Sequence, residues 1–123
     1  MQFTLQILVI LTTFMLTMLG VMSMFAPKKM LSNFALEPVG NAGMNTVRSV
    51  IGGFFLAAVT MLVFSQITSQ TLGYIPVAIM MLAVAIGRVV GLVLDGADKA
   101  VIPPLLLELV IAAVLLTAHY QAA

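Results

Sequence analysis

The chain has 123 residues, of which 63% are apolar and only 7% charged, against about 25% charged in an ordinary soluble domain. With 5 Lys and Arg, 4 Asp and Glu, a net charge of +1 and a mean hydropathy of +1.23, it can neither coat a soluble globule with charge nor offer nucleic acid a basic surface. A cytosolic globular enzyme, a nucleic-acid binder and a disordered tail are therefore excluded, and the absence of Cys removes disulfides, thiolate catalysis and Cys-ligated metals.

Four apolar blocks predict membrane spans over about 3–25, 46–67, 72–94 and 101–118. The first carries no charge and is long enough for a hydrocarbon core of about 30 Å. Its start, Met1-Gln2-Phe3-Thr4, lacks basic residues, and its end, Met24-Phe25-Ala26-Pro27, lacks a small-residue cleavage pattern, so a span is favoured over a secretory signal. Pro27 is expected to open a short helix that lays Met30, Leu31 and Phe34 on lipid and extends Lys28 and Lys29 to the headgroups. The second block begins close to Arg48, and the connection after it, around 65–73, is uncharged and polar. The third block holds Arg88 and ends in Asp95-Gly96, a turn sequence because Gly accepts positive φ. The fourth holds Glu108. Ile102 precedes Pro103 and is expected outside the helical region, so that this helix starts or kinks at Pro103-Pro104.

Lipid offers no water to unpaired backbone groups, so blocks of this length must be helices. The expected fold is all-α, a four-helix transmembrane bundle forming a single four-span domain over 1–123. Short alternating blocks of an outer-membrane barrel are absent. Lys28, Lys29 and Lys99 lie in the first and third connections, with Arg48 and Arg88 near the same side. The positive-inside rule then places those two loops in the cytoplasm and both termini outside.

The charges deepest in the spans carry the functional reading. Arg88 lies seven residues before Asp95, on nearly the same helix face, and Glu108 lies a similar distance into the next helix. Across a short turn the two helices are antiparallel neighbours, which sets Arg88 opposite Glu108 roughly 8–10 Å below one interface. Arg48 enters from the same side. Pairing lowers the cost of an ion in hydrocarbon, so Arg48, Arg88, Asp95 and Glu108 are expected to converge inside the bundle. They form either a site for an anionic headgroup or small polar ligand, or an ion-pair lock on helix register with Arg48 snorkelling to phosphates.

Small residues at four-residue spacing, Ala83, Gly87 and Gly91 on the third helix and Ser49, Gly53 and Ala57 on the second, mark faces for close helix packing within the chain, with homodimerisation the less favoured use. Gln6, Thr13, Thr17 and Gly20 share a stripe on the first helix that suits interhelical hydrogen bonds. His119, the one His, has no carboxylate near its side and reads as an interfacial residue. The ten Met are read as filler rather than a copper site. No phosphate-binding loop, HExxH or Ser–His pair is present, and no metal or cofactor is implied.

The runs 45–53 (Asn45-Thr46-Val47-Arg48-Ser49-Val50-Ile51-Gly52-Gly53) and 87–96 (Gly87-Arg88-Val89-Val90-Gly91-Leu92-Val93-Leu94-Asp95-Gly96), followed by Glu108, resemble a bacterial family of small four-span membrane proteins of unknown function. The resemblance covers nearly the whole chain and implies a four-helix fold in the bacterial inner membrane, with no activity attached. The architecture is also loosely similar to that of DoxX-like proteins. The reading favoured here is a non-enzymatic membrane protein that binds lipid or a small polar ligand, or serves as an accessory subunit, with lipids, a membrane protein or a second copy as partners. The alternative is a small proton-coupled transporter using Glu108. An intramembrane enzyme with Glu108 or Asp95 as acid or base lacks a visible nucleophile–base pair.

Overall fold

A computed structural model of the chain describes residues 3–122. Among these residues every regular element is helical. They are α1 (Phe3–Phe25), α2 (Pro27–Ser32), α3 (Gly40–Thr46), a π-helical turn (Val47–Ile51), α4 (Gly52–Thr68), α5 (Tyr74–Leu94), a 3-10 turn (Lys99–Val101) and α6 (Ile102–Ala122). Four stretches, Phe3–Phe25, Gly40–Thr68, Tyr74–Leu94 and Lys99–Gln121, are long and apolar enough to cross a membrane. The all-α class and the four apolar helices agree with the sequence.

The chain divides into two compact units. One is Ile10–Val63. One core cluster in it is Met30, Leu31 and Val47, packed by Leu19, Met22, Phe34, Ile51 and Phe55, and Leu16, Ala58 and Leu62 are also buried. Pro27 does open α2, where its missing N–H costs nothing. The expectation that Met30, Leu31 and Phe34 face lipid is corrected: Met30 and Leu31 are both 2% exposed within a core cluster, and Phe34 packs against it. The helix rolls its apolar face onto α1 and the π turn and leaves Lys28 and Lys29 exposed. Two glycines allow close approach here. A Cβ on Gly20 would stand 2.8 Å from Leu56 Cδ2, and one on Gly52 would stand 3.1 Å from Met24 Cγ.

The second long helix begins at Gly40, well before the 46 expected. Gly40 takes φ +62° after an extended Val39, and the Gly43 N–H then donates to the Val39 carbonyl at 2.9 Å. Asn41, Gly43 and Asn45 are weak helix formers and read as loop, although they sit in α3.

The other unit is Met1–Val9 with Phe64–Ala123. It is dominated by the antiparallel pair α5 and α6. Tyr74, Val77, Ala78, Met81 and Ala85 are buried along one face of α5, and Ile111, Ala112, Leu115 and Ala118 along α6. Both sets follow helical three- and four-residue spacing. In lipid such a seam is held by close packing and hydrogen bonds rather than by expulsion of water. The turn between the helices is built as its sequence suggests: Gly96 has φ +101°, and the Asp98 carboxylate caps the 3-10 turn by accepting the Ala100 N–H at 2.9 Å. Ile102 is a correction. It is helical (φ −65°, ψ −48°), and α6 begins there without a break at the prolines. Pro103 and Pro104 fall in the first turn, where backbone N–H groups have no partner to lose, so the chain tolerates the crowding ahead of each ring.

Candidate functional site

Arg88 lies six residues before the end of α5 and Glu108 six residues after the start of α6, each about 9 Å from its helix terminus at 1.5 Å per residue. The antiparallel hairpin brings them together, and Arg88 Nε donates to Glu108 Oε1 at 2.5 Å. The side chains are 25% and 13% exposed, so the pair is mostly buried within the hairpin. A lone charge at the centre of a span costs at least ~2.5–3.5 kcal/mol, and mutual neutralisation removes much of that. The opposite end of the same hairpin is tied by Thr71 Oγ1 and His119 Nδ1, 2.8 Å apart. His119 also packs edge-on to Tyr120, with ring centroids 5.2 Å apart. Sequence reasoning had no partner for His119, because Thr71 is remote in the chain and chemically ordinary.

Beside the ion pair lies a groove of about 560 Å³, lined by Gly87, Arg88, Gly91, Asp95, Gly96 and Asp98 together with Val84, Leu92 and Val101. Gly87 and Gly91 open it. A Cβ on Gly87 would meet nothing within 4 Å, and one on Gly91 would meet only Asp95 Oδ2 at 3.8 Å. Arg88 therefore serves two surroundings: its Nε bonds Glu108, and the residue also lines the groove. Asp95 is exposed near the end of α5, and its N–H donates to the Gly91 carbonyl at 2.8 Å. The structure thus gathers Arg88, Glu108 and Asp95 within one unit. Asp98, which the sequence reading did not select, joins the groove wall; its position two residues before Ala100 was the available signal for a turn-capping acid.

Arg48 belongs to the other unit. It stands in the π turn, and its Nη1 donates to the Met24 carbonyl in the last turn of α1, where helix carbonyls lack intrahelical partners. A guanidinium at that end also suits the helix dipole. Ser49, in the same turn, donates to the Asn45 carbonyl at 2.7 Å. The small residues are distributed as follows. Ala83, Gly87, Ser49 and Ala57 are exposed, Gly91 lines the groove, and nothing lies within 4 Å of a Cβ at Gly53, while its neighbour Gly52 is buried against Met24. The π turn breaks the four-residue phase on which the 49–53–57 stripe was counted. On α1 the Thr17 hydroxyl returns to the Thr13 carbonyl of its own helix at 2.7 Å rather than bridging to another helix.

An all-α chain with four membrane-length helices and a charged pair inside one of its hairpins defines a small multi-pass membrane protein. The chain belongs to a family defined as a domain of unknown function (DUF4345), which matches residues 4–119. No curated protein and no solved structure matches it.

Proposed function

We propose that this protein is a non-enzymatic membrane protein that holds a phosphorylated headgroup or small polar ligand in the α5–α6 groove, on the cytoplasmic side of the bacterial inner membrane. The observation that carries the reading is the division of Arg88 between Glu108 and the groove. The Nε bond uses one of five N–H donors on the guanidinium, which leaves donors suited to phosphate oxygens. Glu108 fixes the guanidinium in place, so little rotamer freedom remains to be lost when a ligand binds. The cytoplasmic orientation rests on Lys28, Lys29 and Lys99 occupying the loops of one side.

Gly91→Leu tests the reading, because it fills the groove while leaving the Arg88–Glu108 bond intact. The space at Gly91 is open except for the Asp95 carboxylate, and Leu favours helix more than Gly. Protein extracted in mild detergent is expected to retain stoichiometric phospholipid or another phosphorylated ligand by mass spectrometry, and Gly91→Leu is expected to lose it with helix content unchanged. Equal retention by both proteins would refute the site.

A further inference from the structure

The charges around the groove specify the headgroup more narrowly than a phosphate alone. Arg88 is already balanced by Glu108, and the groove wall adds Asp95 and Asp98. Among the described residues the Asp95 carboxylate accepts no hydrogen bond, whereas Asp98 gives one oxygen to the Ala100 N–H. The net field of the wall is therefore negative beyond the guanidinium. A purely anionic headgroup would meet Arg88 favourably and the two aspartates unfavourably. A headgroup that carries both a phosphate and a cation satisfies both.

Depth orders these groups. Arg88 lies seven residues below Asp95 on one face of α5, about 10 Å of helix rise further from the helix end. A bilayer lipid enters with its acyl chains toward the membrane centre, its phosphate next and its amine outermost. The guanidinium is the deeper group and the aspartates the outer ones, the same order in which such a lipid presents phosphate and amine. The kind of cation is also set. Carboxylates accept hydrogen bonds from a primary ammonium, whereas a quaternary ammonium donates none and is held by aromatic faces. Among the described residues no aromatic side chain lines this groove.

We infer that the groove is a subsite for a zwitterionic phospholipid with a primary amine, of the phosphoethanolamine type, with phosphate on Arg88 and ammonium on Asp95 and Asp98. This rests on the headgroup reading above and deepens it. The test is native mass spectrometry of the full-length protein, delipidated and then offered phosphatidylethanolamine, phosphatidylcholine or phosphatidylglycerol with matched acyl chains. Soluble O-phosphoethanolamine is run as a competitor. Retention of the ethanolamine lipid is expected to exceed that of the other two by about tenfold, the scale of one charge-assisted hydrogen bond. Asp95→Asn is expected to erase that preference while Gly91→Leu erases binding. Asp95 is exposed and outside the ion pair, so its variant keeps the fold. Preference for phosphatidylglycerol, or equal retention of all three with Gly91→Leu still abolishing it, overturns the inference and leaves the headgroup site standing. Retention of every lipid in Gly91→Leu overturns both. Binding of soluble O-phosphoethanolamine without lipid overturns the lipid source.

Discussion

The two arginines that enter the spans are accommodated by different chemistry. Arg88 meets a carboxylate, Glu108, inside the α5–α6 hairpin, and the two cancel as charges. Arg48 meets a backbone carbonyl, that of Met24, and is stabilised by the dipole and unpaired oxygens at the end of α1. The first arrangement leaves a balanced, oriented guanidinium beside a groove, and so can serve a ligand. The second ties a π turn to a helix end and keeps its full positive charge. An intramembrane arginine is therefore a functional clue only after its partner is known.

The sharpest way to break this comparison is to remove one partner. Glu108→Ala leaves Arg88 sequestered without a counter-charge, and breaking such a buried pair costs about 3–5 kcal/mol. A double change to apolar residues, Arg88→Met with Glu108→Leu, should recover most of that, because no charge then remains to be solvated. Circular dichroism during SDS titration of detergent-solubilised protein measures both. A double variant no more stable than Glu108→Ala would show that packing, not charge, is what Glu108 supplies.

Arg48→Ala should cost less, up to about 1.5 kcal/mol, the top of the range for a net hydrogen bond, since this bond is exposed and the Met24 carbonyl it uncovers is neutral. The same titration reads it. Gly20→Ala follows at about 1 kcal/mol, the low end for overpacking, because the closest atom the added methyl meets is the terminal Leu56 Cδ2, with Leu56 Cγ and Phe55 Cβ just beyond it. Gly53→Ala, into open space, should be neutral or slightly stabilising. Reversal of that order would mean the close approach of α1 and α4 lies elsewhere.

The legible parts of the sequence are those where a single residue type dictates a local outcome. Long apolar blocks gave the helices, Asp95-Gly96 gave the turn, and symmetric positions across a short hairpin placed Arg88 against Glu108. What stayed hidden depended on tertiary neighbours. Met30 and Leu31 are as apolar facing lipid as facing a core, so composition could not choose between them. The π turn has no hydrophobic signature, yet it shifts every face counted across it and decides that Gly52, not Gly53, meets Met24. The Gly40 entry to α3 was concealed because Gly and Asn favour loops until a neighbouring helix extends into them. The Thr71–His119 contact joins two residues that are unremarkable separately.

Lys99→Ala supplies the lower bound of the series. Lys99 is charged, lies in the same hairpin as Glu108 and stands one residue after the turn-capping Asp98. If net charge near the groove governed stability, its loss would register much as that of Glu108 does. Yet Lys99 is exposed in a 3-10 turn beyond the end of α5, where water screens it and no buried partner is stranded by its removal. Its effect should stay within about 0.5 kcal/mol, the usual range for surface sites. A loss comparable to that of Glu108→Ala would shift the weight from one geometrically defined pair to the collective charge of the loop, and the contrast between the two arginines would then lose its basis.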